Sequence, residues 1–370
     1  PPPNAQFNTR LLLPSGSLQV YYNEARKTQR NTTSNHHNRS NKTYTSTKLN
    51  ATQIDCVIDA LQSKERVTLL RGGPGTGKTE CVIKMIESLS RSKNERILVL
   101  TPNEGAVDRI LSKLNKSGSI VPRKIVRIGG SGHGYGNFGP GGRRDLCLRR
   151  QRDILNEVSK LGTSLGVTSK GTTFTCQTAG HFYNVHIRPR IEFFESTLEG
   201  EGGGAHDPFA IHFGNSSSSS SSSSNGNGNG LAALDRMEKM TDMFLELKDY
   251  APFEWMPFAR LQSQYVVTSM STVVGASVNG FIREIERYEK NNSGPSFTTI
   301  IIDGASSMTD AALTSVLAYN RKRTARLVLT GDVKSTTVVP SSFARLTSGA
   351  LYSGAKLNLS MFERLSSSAS

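Results

Sequence analysis

The ten residues "RGGPGTGKTE", Arg71 to Glu80, constrain this chain more than any other stretch. They follow "RVTLL", a short buried strand, and run straight into "TECVIKMIESLSR", a helix. In that setting Gly72, Gly77, Lys78 and Thr79 meet the pattern G-x-x-x-x-G-K-[ST]. The glycines let successive backbone N–H groups turn inward, and the helix N-terminus adds positive potential, so the loop is built to hold phosphate. Lys78 supplies a mobile charge for the β and γ phosphates, and the Thr79 hydroxyl a magnesium ligand. Pro74 and Thr76 tighten the match. The whole run Gly72, Gly73, Pro74, Gly75, Thr76, Gly77, Lys78 and Thr79 is therefore expected to contact a nucleotide, with ATP and Mg2+ as cofactors.

The segments around the loop alternate. "LNATQIDCVIDAL" spaces Ile54, Val57, Ile58 and Leu61 on one helical face. After the loop helix come a buried strand "RILVLTP", a helix "EGAVDRILSKL" and a strand "KIVRIG". Strand–helix alternation of this kind builds an α/β fold, a parallel sheet with helices on both faces. The rhythm stops at Gly129, where "GGSGHGYGNFGPGG" reads as a flexible loop. Residues 144–161 and 231–250 read as helices, separated by nine serines (216–224) and "NGNGNG", a linker. The rhythm returns at "QYVVTSM", "TTIIID" and "RLVLTGD", each expected as a strand. The organisation that follows is a basic, mostly disordered segment 1–48, a first part of the nucleotide domain at 49–129, a helical insertion at 130–261 with a low-complexity linker at 200–230, a second part at 262–365 and a tail at 366–370.

Charge enters the argument because it is uneven. The formal net charge is +15, with seven Lys/Arg against one acid in residues 1–50 and twelve against three in 121–190. A localised basic excess favours a polyanion, most simply RNA or DNA. Cys56, Cys81, Cys147 and Cys176 show no C-x-x-C pairing and read as small core residues in a cytoplasmic or nuclear setting. No apolar run approaches the roughly 18 residues of a membrane span. The chain opens "PPPNAQ" without a Met or a leader pattern and reads as a piece of a longer protein.

A magnesium-binding partner strand should be an apolar run ending in Asp. "TTIIIDG" and "LVLTGD" both qualify. Asp303 is the better metal candidate, because three isoleucines precede it and a helix-like segment follows; Asp332 ends the next strand, within reach of a γ-phosphate.

Seven blocks in one order, "LNATQ", "GGPGTGKT", "LVLTPNEGAVDRIL", "VVTSM", "IIIDGASSMTDAAL", "LVLTGDVKS" and "LNLSMFERL", resemble superfamily 1 helicases, in the group related to the nonsense-mediated-decay helicase. The resemblance covers residues 49–129 and 262–365 and implies the first RecA-like domain of a P-loop NTPase. It implies that Gln53 reads adenine, that Thr101 and Pro102 lie near the nucleic-acid track, and that the insertion forms stalk and accessory parts. The AAA proteins share "GPGTGKT" but set their metal strand much closer than the 225 positions between Lys78 and Asp303.

The chain also departs from that pattern. Gly304 stands where the family has the Glu that orients the attacking water, and loss of a general base typically costs about 10²–10⁴ in rate. Ser335 replaces the Gln that couples γ-phosphate to movement, and Glu104 replaces an Asn beside the nucleic acid. The resemblance implies a second RecA-like domain, which brings an arginine finger worth about 10³–10⁵ and would begin where this sequence ends. The expected function is thus the ATP-binding domain of a helicase acting on RNA or DNA, with Lys78 and Asp303 intact and hydrolysis impaired at Gly304 and Ser335. The alternative is a non-catalytic, ATP-responsive module that binds nucleic acid or protein partners.

Overall fold

The computed structural model describes residues 49–62, 66–92, 94–130, 138–199, 208–209, 212, 227–290, 294–320, 324–332 and 360–368. The basic segment 1–48, most of the linker 200–230, and Ser335 lie outside the described residues. The chain divides into two compact units, one formed by residues 1–139 and 267–370 and the other by 140–266.

In the first unit, helix α1 (Ala51–Gln62) leads to strand β1 (Val67–Arg71), helix α2 (Lys78–Leu89), strand β2 (Ile97–Thr101), helix α3 (Glu104–Ser117) and strand β3 (Ile125–Arg127). In the second, the helices are α4 (Pro140–Ser164), α5 (Cys176–Phe182), α6 (Arg188–Glu199), α7 (Asn227–Trp255) and α8 (Ala259–Tyr265). The first unit then resumes with strand β4 (Val273–Ser277), helix α9 (Val278–Lys290), strand β5 (Thr299–Ile302), helix α10 (Asp310–Asn320), strand β6 (Arg326–Gly331) and helix α11 (Met361–Ser368).

All six strands pair in parallel, in the order β1-β6-β5-β2-β4-β3. Every residue of β2, β4 and β5 is buried, because helices cover both faces and a strand in such a sheet must be apolar throughout. One core cluster joins Val57 and Ala60 of α1, Val82, Met85 and Ile86 of α2, and Val107, Ile110, Leu111 and Leu114 of α3 to strand residues. The fold is the α/β parallel sheet that the alternation calls for, of the RecA-like P-loop kind.

Two expectations need correction. "QYVVTSM" is not a strand: its first residues end α8, and Val266–Met270 form one π-helical turn. The sheet position falls to Val273–Ser277 instead. The Arg96 guanidinium donates to the Val267 carbonyl (2.6 Å) and to that of Thr268 in this turn, and to the carbonyl of Ser271 just after it (3.3 Å). A β-branched run fits either state, and this tertiary contact decides. The glycine-rich stretch after Gly129 also holds structure at its end. Phe138 packs against the sheet core, and α4 starts at Pro140, since a ring that fixes φ and lacks an N–H suits the first helical position.

The second unit is helical. Cys147, Ile154, Val158 and Leu161 give α4 its buried face, and Met237, Met240, Phe244 and Leu247 give α7 its own. Phe244 lies against the rings of Phe182 and Tyr183, at 6.5 and 5.0 Å between centroids. Among the described residues no helix is long and apolar enough to cross a membrane.

Candidate functional site

The phosphate loop takes its shape from residues on either side of it. Asn50 caps α1: its Oδ1 accepts from the Gln53 amide at 2.8 Å, and Gln53 Oε1 accepts from the Asn50 amide at 2.9 Å. This reciprocal pair fixes the Gln53 side chain, whose Nε2 then donates to Thr76 O at 2.9 Å, inside the loop. Gly77 caps α2 at φ +81°, a left-handed conformation that favours glycine. A Cβ there would also stand 2.4 Å from Gln53 Nε2, so a side chain at 77 would push Gln53 off Thr76 O.

Lys78 Nζ donates to Gly72 O and Gly73 O, both at 2.7 Å, and Thr76 Oγ1 donates to Gly73 O at 2.8 Å. Gly72 is tied to the sheet through its amide, which donates to Gly331 O at 3.1 Å. Pro74, Gly75 and Thr76, at the crest of the loop, are exposed. The cationic ammonium and the start of α2 thus converge on an open, glycine-lined hollow, which suits polyphosphate.

The partner carboxylate arrives by topology. Because β6 lies between β1 and β5, the loop after β1 and the residue after β5 face each other across one strand end. Thr79 Oγ1 donates to Asp303 Oδ2 at 2.9 Å, and Thr330 Oγ1 donates to Asp303 Oδ1 at 2.6 Å. A hydroxyl and a carboxylate are hard oxygen ligands of the kind magnesium takes, so the residues present fit that ion. Asp332 is half-buried one strand away, its amide donating to Ser306 Oγ at 3.2 Å.

Gly304 follows Asp303 at φ +81° and ψ 33°, opening a single 3-10 turn over Ala305–Ser307. Its amide donates to Thr330 Oγ1 at 3.3 Å. Thr101 is fully buried with its hydroxyl on Asn103 O at 2.7 Å, while Pro102 is half-buried. Glu104 meets two guanidinium groups. Its carboxylate lies 3.3 Å from the buried Arg127 and 4.0 Å from Arg283, and Arg127 also meets Asp108 at 3.0 Å.

The structure therefore brings together Gln53, the loop 72–79, Asp303 and Asp332. Sequence reading missed Asn50, Arg127 and Thr330. Asn50 was legible as the start of an N-x-x-Q cap; Thr330 carried only the faint signal of a polar residue ending an apolar strand.

The chain is similar to several known proteins. A family model described as an AAA domain matches residues 48–145. Over longer spans the similar proteins are named otherwise. The mouse protein called RNA helicase aquarius is 23% identical over 273 residues, 69% of this chain and 18% of its own length. The pre-mRNA-splicing factor cwf11 of Schizosaccharomyces pombe is 22% identical over 343 residues, 89% of this chain and 26% of its own. A regulator of nonsense transcripts 1 homolog of Neurospora crassa is 34% identical over 81 residues, 22% of this chain and 7% of its own. The chain thus spans about a fifth to a quarter of the length of the first two relatives. In its motif order and parallel sheet the chain is similar to the superfamily 1 helicases of the group related to the nonsense-mediated-decay helicase, over a part that corresponds to their first RecA-like domain.

Proposed function

We propose that this chain binds ATP with Mg2+ at the loop 72–79 and Asp303, as the nucleotide-binding domain of a helicase-type protein that engages RNA or DNA, and that it hydrolyses ATP slowly or not at all. The observation that carries the reading is the 2.9 Å bond between Thr79 Oγ1 and Asp303 Oδ2, since it joins two hard oxygen ligands beside the phosphate hollow. Lys78 would leave the Gly72 and Gly73 carbonyls to meet the β and γ phosphates, and Gln53, bonded to the loop at Thr76 O, would meet the base. Magnesium bound there supplies charge neutralisation to the transferring phosphoryl group.

Slow hydrolysis follows from Gly304. A water-orienting base must reach the γ-phosphate, and the residue after Asp303 has no side chain to do so. Nucleic-acid binding is supported by the names of the relatives and by the basic excess in 121–190. Binding in a nuclear or cytoplasmic RNA-processing context is part of the same proposal.

The test is a thermal shift with Mg-ATP on the wild type and Lys78→Ala, followed by phosphate release with and without RNA. A ligand that binds only the folded state raises its melting temperature, so the wild type should respond and the variant should not. Brisk, RNA-stimulated turnover in the wild type would instead establish a hydrolysing motor domain with its base elsewhere.

A further inference from the structure

We infer that Thr330 is the residue that positions the metal-binding carboxylate of Asp303; the inference rests on the nucleotide-site reading above. Strand β6 lies between β1 and β5, so its last residues stand between the phosphate loop and Asp303. The strand is apolar through Leu327, Val328 and Leu329, and then buries a hydroxyl at Thr330 with no exposed surface. A buried hydroxyl has to find partners, and this one has two. It donates to Asp303 Oδ1 at 2.6 Å and accepts from the Gly304 amide at 3.3 Å.

One hydroxyl therefore holds both the carboxylate and the left-handed turn that follows it. With Oδ1 engaged by Thr330, Oδ2 is the oxygen turned toward Thr79 and the start of α2. The Asp303 amide donates to Leu100 O at 2.8 Å, which fixes the backbone from the other neighbouring strand. A second rung joins the same two segments, the Asp332 amide to Ser306 Oγ at 3.2 Å. The sequence has no carboxylate at 304 and no Gln at 335 to connect these strand ends. Partners that orient a metal ligand typically govern metal affinity by about 10- to 100-fold, and Thr330 has that relation to Asp303. It acts on Asp303, and the ion would be held by Asp303 and Thr79.

The experiment titrates Mg2+ against ATP binding, followed with a fluorescent ATP analogue, in wild type, Thr330→Val and Thr330→Ser. Thr330→Val should raise the Mg2+ concentration needed for half-saturation by about tenfold or more, with metal-free nucleotide affinity unchanged. Thr330→Ser, which keeps the hydroxyl, should restore the wild-type titration. Without nucleotide, Thr330→Val should also speed hydrogen exchange at the Gly304 amide, and Thr330→Ser should not.

Wild-type Mg2+ dependence in Thr330→Val would overturn the positioning role and leave the nucleotide site standing. So would a parallel loss of metal-free affinity in both variants, which would mark Thr330 as packing alone. A wild-type protein that binds no ATP would overturn the nucleotide site, and this inference with it.

Discussion

Gly304 and Pro102 close on each other at the mouth of the site, so that a Cβ on Gly304 would stand 3.1 Å from Pro102 Cγ and 3.3 Å from its Cδ. The glycine also holds φ +81°. The missing carboxylate is therefore more than a truncated side chain, because the backbone has settled into a turn that disfavours any L-residue with a Cβ. Left-handed backbone costs a non-glycine residue about 1–2 kcal/mol. Gly304→Glu should lower the melting temperature by several degrees and leave phosphate release at its wild-type level. A large gain in turnover with no loss of stability would show that the turn reverts easily to a strand-like form.

Gln53 joins the cap of α1 to the loop. Gln53→Ala removes the bond to Thr76 O and half of the cap, each worth about 1 kcal/mol. Competition between ATP and GTP in the wild type and in the variant checks this. Weaker ATP binding and a flatter preference for ATP are expected; an unchanged preference would mean that Gln53 only shapes the loop.

Arg127 is 2% exposed and meets Glu104 and Asp108, which each keep about a third of their surface in water. Water screens the carboxylates left behind, so the loss should fall below the roughly 3–5 kcal/mol of a fully buried pair broken from one side. Urea denaturation should show Arg127→Met destabilised by about 1–3 kcal/mol. Glu104→Gln should cost less than about 1 kcal/mol, because Glu104 is partly exposed and Asp108 still faces the guanidinium. Equal losses in the two variants would contradict this ranking.

Burial pushes the Cys176 thiol from 9.0 up to about 12, with Gln151 and Glu254 beside it. The neutral form is the folded one, so the contribution to stability is complete below about pH 9 and is lost as pH rises toward 12. Iodoacetamide at pH 9 should label Cys176 in urea and spare it in buffer, as read by peptide mass. Fast labelling of the folded chain would show that the second unit opens there.

Nucleic-acid binding should weaken steeply with salt, since the basic excess acts through counterion release. A filter-binding series between low and moderate ionic strength tests this on the whole chain, and deletion of residues 1–48 should flatten the slope. Affinity indifferent to salt would point to another kind of partner.

The sequence by itself determined the parallel sheet and the loop. Short β-branched apolar runs such as "ILVL" and "TIII", alternating with helical segments, fit a sheet covered on both faces, and the spacing of Gly72, Gly77, Lys78 and Thr79 is local chemistry that a strand and a helix deliver wherever they meet. Asp303 was legible for the same reason, as the residue ending an apolar strand. Tertiary structure decided what depends on neighbours far along the chain. "VVTSM" has the stronger strand character of the two segments "VVTSM" and "VVGAS", yet it is "VVGAS" that fills the slot beside β2, while Arg96 holds the turn at Val267. Glu104 reads as a free negative charge until β3 brings Arg127 against it. Thr330 reads as an ordinary strand residue until the order β1-β6-β5 sets its hydroxyl on the Asp303 carboxylate, across from Thr79. Local periodicity fixes which face a side chain takes, but strand order fixes which side chains meet, and that order is set by packing the whole sheet.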